Sequence, residues 1–494
     1  MPNTEETSGG KGAGSIPDAK ALSRRDFLRI AGISGATITV GAGLGGLVAA
    51  CGGTTTTTTT AGPTTTAAAA TTTTAGPTTT VAPSTTTSAG VEKGRELKIG
   101  FVTPQTGPIA LFGTPDKYCV ARWQEAVQDG LVCGDGKNHP VSILVQDSQS
   151  DTNRASQVAG DLITNSKVDI IMAASTSDTC VPVSDQAEAL GCPCFTNDCP
   201  WQGWFFGRKG DPAVGFHWTY HAFWGLEDII GTFKSMWDGM NTNKVVAGMW
   251  PNDADGNVWA DPKQGFPSVL VPAGYKIAYG GGYNNGTEDY TSIITGIKKA
   301  GAEILSGVPI PPDFPVFWKQ MLQQGFKPPV ATVGRALLFP LGLEAIGPVG
   351  YGLSTEVWWT PKHPFKSSLT GETCQELADD FEKRTGFQWT QPLLHYGVFE
   401  VAVDALKRTT NVDDKEAIVT AISTTKMQTI GGNVDFTTPV DMNSVHPVKN
   451  VCRTPLVGGQ WVKGTAHAFD LTIVNNTVWP EIPTTGTLAP IAYS

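Results

Sequence analysis

Three short polar stretches carry the side chains best suited to hold a small molecule. Ser175-Thr176-Ser177-Asp178-Thr179 sits between an apolar run and the helix-like segment that begins near Val181. Its hydroxyls, and the free backbone N–H groups of a helix start, suit a carboxylate; Ser177 or Asp178 can equally serve as a plain helix cap. Thr196-Asn197-Asp198 follows the next apolar run, and Asn197 and Asp198 can accept from an N–H donor. Trp201 then opens the aromatic run Trp201-Gln202-Gly203-Trp204-Phe205-Phe206, which suits a cleft wall or a lobe-surface patch closed by Cys199. Asn252-Asp253-Ala254-Asp255-Gly256 offers paired carboxylates. Its spacing resembles the start of a calcium loop, yet Val258 and Gln264 stand where such a loop requires Gly and Glu. Arg335, in Val333-Gly334-Arg335-Ala336, is a cation fit for an anionic or carbonyl group, or for a surface pair with Glu344. No H-E-x-x-H, G-x-S-x-G or P-loop is present. The reading is a binding cleft without an enzyme's chemistry, and without cofactor or metal.

The elements that must position these stretches alternate. Strand-like runs at Leu97–Val102, Val141–Gln146, Val168–Ala173 and Cys194–Thr196 are separated by helix-like segments at Asp116–Asp129, Asn153–Asn165 and Val181–Leu190. A second series follows, with strands at Lys244–Trp250, Tyr275–Tyr279, Glu303–Gly307 and Val330–Val333 and helices at Phe223–Met240, Tyr290–Ala300 and Pro315–Gln324. Helices are expected again at Cys374–Arg384, Leu393–Arg408 and Lys415–Ile422, before a β- and turn-rich tail. Unbroken βαβα alternation predicts an α/β fold with parallel sheets, and two series predict two Rossmann-like lobes. Leu97–Gly113, a strand that breaks into a Gly/Pro loop ahead of a helix, is where such a sheet meets a ligand.

The amino-terminal part reads as an address and a tether. Arg24-Arg25 precede the uncharged run Ile30–Ala50, and Val48-Ala49-Ala50-Cys51 resembles a lipobox, so a twin-arginine signal ending in lipidation of Cys51 is expected. A retained membrane anchor is the alternative. Gly41-Ala42-Gly43-Leu44-Gly45-Gly46 follows no strand and is not a dinucleotide loop. From Gly52 the chain is rich in Thr, Ala and Pro; it cannot bury enough apolar area to offset its ordering entropy, and a disordered tether is expected over 52–95. The formal charge of −10, without a basic cluster, argues against nucleic acid. Beyond Cys51, eight cysteines remain: Cys119, Cys133, Cys180, Cys192, Cys194, Cys199, Cys374 and Cys452. An even set in an exported domain predicts disulfides. Cys119–Cys133 and Cys374–Cys452 are the pairings expected, because the other four crowd into one region; zinc at Cys192, Cys194 and Cys199 is the rival.

Lys98-Ile99-Gly100, Thr103-Pro104-Gln105-Thr106-Gly107-Pro108, Gln146-Asp147-Ser148, Gly191-Cys192-Pro193 and Gln323-Gln324-Gly325 appear in an order and spacing similar to the branched-chain amino-acid (Leu/Ile/Val-binding) type of solute-binding protein, a type I periplasmic binding protein. The resemblance implies three crossover strands, near Trp218–Phe223, Ser354–Thr360 and Thr425–Asn433, and a ligand cleft closed by a hinge. It implies lobe one at 96–219 plus 361–426 and lobe two at 220–360 plus 427–494. It further implies ligand contacts at Phe112, Ser175, Thr176, Ser177, Asn197, Asp198, Trp201 and Asp255. Two positions depart from the family pattern: Pro309 stands in place of a tyrosine and Arg335 near a customary acid. That reversal of charge points to an apolar or aromatic carboxylate or amide rather than free leucine. The implied partners are a small solute, ABC permease subunits and, through the lipid anchor, the outer face of a bacterial membrane. A monomer is expected; an exported sensor of the same fold is the alternative.

Overall fold

The computed structural model describes residues 91–279, 282–441 and 447–493. The signal, Cys51 and the tether up to residue 90 lie outside them. The last residues assigned to the tether are already part of the fold: Lys93 bridges Asn138, and Arg95 pairs with Asp169 at 2.8 Å.

The strands run β1 Leu97–Thr103, β2 Leu131–Val132, β3 Asn138–His139, β4 Val141–Asp147, β5 Ile170–Ala173, β6 Cys194–Asn197 and β7 Thr219–Ala222. They continue as β8 Val245–Met249, β9 Lys276–Tyr279, β10 Ile304–Gly307, β11 Val330–Val333 and β12 Ser354–Val357. The last five are β13 Lys426–Thr429, β14 Gly432–Asp435, β15 Val451–Cys452, β16 Val457–Lys463 and β17 Phe469–Asn475. One sheet has the order β15-β7-β6-β5-β1-β4 and the other β17-β16-β12-β11-β10-β8-β9. Pairing is parallel throughout the first sheet and from β9 to β12 in the second, as β-branched runs linked by helices require. β16 and β17 add an antiparallel edge. This is the two-lobed α/β architecture expected.

The chain passes between the sheets three times: after β7, between β12 and β15, and between β15 and β16. The third crossover is not where it was expected. Residues 426–435 fold back as the β13–β14 hairpin, turning at Ile430-Gly431 just before Gly432 (φ +118°), and the buried Ile430 N–H is held by Glu400 at 2.7 Å. β15 then joins β7 of the first sheet, so the tail from 427 serves both sheets.

The tryptophans mainly build the core. Trp123, Trp237, Trp318 and Trp461 are almost wholly buried, and Trp123 stacks on Phe399 at 5.0 Å. Four short helices were not legible as periodicity: Trp201–Gly207, Ala254–Ala260, Phe266–Leu270 and Pro340–Ile346. At seven residues or fewer they offer under two turns for a pattern to repeat. The eight cysteines are unpaired buried thiols rather than disulfides. The thiols of the two expected pairs end on backbone or in packed core: Cys133 donates to Leu131 O (3.7 Å), Cys374 to Ile430 O (3.4 Å) and Cys452 to Asn433 O (3.7 Å), while Cys119 lies in the core under the Asp116–Ala126 helix. No group of acidic, His or Cys side chains among the described residues is arranged to hold a metal ion.

Candidate functional site

Loops leaving β1, β5 and β6 meet loops leaving β8, β10 and β11 across a polar seam. In each sheet this is where the strand order reverses, between β1 and β5 in the first and between β8 and β10 in the second, the place where open α/β sheets expose a crevice.

The first-sheet side is built on strained backbone. Ser175 (φ 81°), Thr176 (φ 62°) and Asp198 (φ 67°) are left-handed, as is Arg335 (φ 54°) opposite. Side chains pay for such φ values, and a structure that keeps four of them in one seam holds them by surrounding contacts. Here the Thr176 N–H donates to Asp198 O at 2.7 Å, tying the turn after β5 to the turn after β6. The helix Thr176–Leu190 therefore starts inside the expected polar turn, five residues before Val181, with no side chain capping it. His395, fully buried, lies between two carboxylates: Nδ1 to Asp116 at 2.7 Å and Nε2 to Asp198 at 3.0 Å. Burial opposes its cation, but the two acids raise it to about 9; burial raises Asp198 to about 6 against His395.

The second-sheet side mirrors this. Arg335 donates from Nη2 to Asp253 (2.6 Å) and from Nη1 to Asp255 (2.9 Å), with a longer Nε contact to Pro309 O at 3.4 Å. It is buried, and its ion pairs are with Asp253 and Asp255 rather than Glu344. Burial raises Asp255 despite Arg335, while at Asp253 the guanidinium overcomes burial and holds the carboxyl below its usual range. The Ser177 hydroxyl crosses the seam to Asp255 at 2.8 Å. Gly334 is required here, because a Cβ would lie 2.3 Å from Glu356 Oε2 and 2.8 Å from the Trp259 ring. Phe112 also crosses, meeting Phe339 edge to face at 4.9 Å.

The sequence-predicted residues thus converge with two exceptions, and the first is Asn197, whose side chain lines a separate small cavity beside Thr454. Trp201 lies beyond the seam wall, its indole N–H given to Glu227 at 3.0 Å. The residues missed are Asp116, His395, Glu356, Trp224 and Trp259. Asp116 and His395 are 279 positions apart, so no local spacing joins them. Burial pushes Glu356 up to about 7; its Oε1 accepts the Arg335 N–H at 3.0 Å. What remains in the seam is a set of buried polar atoms without a hydrogen-bond partner among the described residues: Ser175 Oγ, Thr176 Oγ1, Trp224 Nε1, Trp259 Nε1 and Glu356 Oε2. Thr176, Trp224, Trp259 and Glu356 line a cavity of about 30 Å³, room for no more than a few waters, and Ser175 precedes Thr176 in the same turn.

Paired parallel sheets that close their strand ends on such a seam define a two-lobed α/β solute-binding protein. The chain belongs to the periplasmic binding protein family, whose model matches residues 96–449. It is similar to Leu/Ile/Val-binding protein homolog 7 of Brucella melitensis, with 23% identity over 383 residues covering 75% of this chain and 90% of that one. Among solved structures it resembles the branched-chain amino-acid transporter substrate-binding protein LivJ of Streptococcus pneumoniae in complex with isoleucine: TM-score 0.59, 15% identity, covering 77% of this chain and 99% of that one. A solute-binding protein of an ABC transporter from R. palustris, in complex with 4-hydroxybenzoate, gives TM-score 0.62 at 17% identity, covering 77% and 96%. The family places the folded part outside the cytoplasm.

Proposed function

We propose that this chain is the solute-binding component of an ABC importer, held by lipid on Cys51 and a tether at the outer face of the membrane, and that it encloses a small amino acid-like solute between its lobes. The observation that carries the reading is the set of four unpartnered buried atoms, on Thr176, Trp224, Trp259 and Glu356, that line one cavity. An unmade hydrogen bond on a buried group costs about 1–3 kcal/mol, so a solute that completes these bonds gains that much at each. Thr176, Trp224 and Trp259, with Ser175 next to Thr176 in the turn, donate and suit a carboxylate; Glu356 accepts and suits an ammonium. Arg335, enclosed by Asp253 and Asp255, is spent within the protein, which withdraws the reason to prefer a non-amino carboxylate. The cavity is too small for such a solute as it stands, so entry requires the lobes to part at the seam.

The reading is tested by thermal denaturation with L-amino acids, their deaminated carboxylates and their amides. A solute bound only by the folded chain at 100 times its Kd stabilises by about 2.7 kcal/mol, a shift of several degrees. Stabilisation by amino acids, lost on removing either the amino or the carboxyl group, is expected. Equal stabilisation by the deaminated series sinks the assignment of Glu356. Uptake of the same solute should disappear in cells lacking this chain; uptake that persists while a signalling response is lost would make the chain a sensor.

A further inference from the structure

A second cavity, of about 540 Å³ and largely apolar, lies outside the polar seam. The two share their walls. The loop after β1 places Phe112 on the inner cavity and Leu111 on the outer; the segment after β10 places Val308 inside and Pro311 outside; the segment after β11 places Leu338 inside and Leu341 outside. Only the thickness of these three segments separates a small polar chamber from an apolar one, and the Phe112–Phe339 ring pair stands within it. The outer volume falls in the range of small-molecule sites, whereas the inner one does not.

We infer that the solute is an elongated amphiphile whose polar head is held in the seam and whose apolar tail passes Phe112 and Phe339 into the outer groove. This rests on the proposed head-group site and adds the class of solute. Two features favour this occupant over a protein partner. The groove is walled by both lobes, so its shape changes when they move, and it adjoins the seam that holds the unpartnered head-group atoms. An amphiphile burying its tail there links capture of the head to closure along the whole wall.

The experiment is calorimetric titration of the full chain with L-alanine, L-norvaline, L-2-aminooctanoate and L-2-aminododecanoate. Affinity is expected to rise roughly three- to fourfold per added methylene beyond norvaline until the groove is filled. Ala121→Trp on the first lobe and Ala345→Trp on the second narrow the groove at exposed positions. Each should abolish the gain for the long members and leave alanine and norvaline unchanged, with an unaltered circular dichroism spectrum showing that the fold survives. Binding of the short members with no gain in the long ones overturns this inference alone. A gain that survives in both tryptophan variants overturns it too, because the tail then lies elsewhere. Failure of every member to bind removes the head-group reading and this inference with it.

Discussion

Each side of the seam encloses one cation between two carboxylates, and the two sets differ in what the cation is. On one side His395 lies between Asp116 and Asp198; on the other Arg335 lies between Asp253 and Asp255. Both leave an excess of one carboxylate, so the seam as a whole favours a donating group on the solute. The histidine set joins three distant stretches of chain and can lose its proton, while the arginine set joins two stretches and cannot. The comparison assigns them different work: Arg335 fixes the second lobe's loops at every pH, and His395 makes the first lobe's side conditional on pH.

The largest effect is expected at Arg335. Arg335→Met leaves Asp253 and Asp255 buried without their partner, and removing one member of a buried ion pair costs about 3–5 kcal/mol. Chemical unfolding should show that loss at pH 7 and nearly the same loss at pH 9.5. Adding Asp253→Asn and Asp255→Asn should restore most of it, since the uncompensated charges go. A near-neutral single variant would mean that the carboxylates relax to solvent and that the two sets are not alike.

His395→Gln should cost less, about 2–3 kcal/mol at pH 7, because glutamine keeps part of the hydrogen bonding. The difference between the sets shows in pH. The His395 pKa is raised from its ordinary 6.5 to about 9, so its contribution is fully present below pH 6.5 and is lost as pH rises through 9. The wild-type midpoint should fall between pH 7 and pH 9.5, the slope should flatten in His395→Gln, and Arg335→Met should retain it. An unchanged slope in His395→Gln would place the titrating group elsewhere.

This division was only half visible in the sequence. The parallel sheets, most long helices and the Ser175–Ser177 and Asp253–Asp255 turns follow from apolar periodicity and from polar residues at strand ends, which are local signals. Arg335 was seen as a cation, but its partners were not, because Asp255 is 80 positions away and nothing between them marks the approach. That omission turned a neutralised guanidinium into an apparent anion site. His395 sits in Leu393-Leu394-His395-Tyr396 and reads as a core residue until Asp116 and Asp198 are folded onto it. The cysteines were misread for a related reason: export licenses disulfides, but packing decides which thiols meet.

The seam's unpartnered atoms predict a smaller effect that separates binding from folding. Thr176→Val keeps the β-branched shape and removes a hydroxyl without a partner among the described residues, so stability should stay within about 0.5 kcal/mol. Solute affinity should nevertheless fall about tenfold, the worth of one hydrogen bond to a charged group. Glu356→Gln should weaken an ammonium-bearing solute by a similar factor and leave its deaminated analogue unaffected. If Thr176→Val changed stability and affinity together, the hydroxyl would be part of the scaffold, like the Ser177 hydroxyl on Asp255.

The smallest effect belongs to Ser175, where strain and binding oppose each other. Its φ of 81° is one that glycine adopts without penalty, and its buried hydroxyl has no partner among the described residues. Ser175→Gly should therefore raise stability, by up to about 1 kcal/mol, as the strain is relieved. The same change should weaken the solute by removing a donor from the start of the Thr176–Leu190 helix. Gain in unfolding free energy with loss in calorimetric affinity would show that the strained turn is kept for the solute rather than for the fold. A loss in both would mean that the serine side chain braces the turn, and the first lobe's side of the seam would then be as self-sufficient as the arginine set opposite.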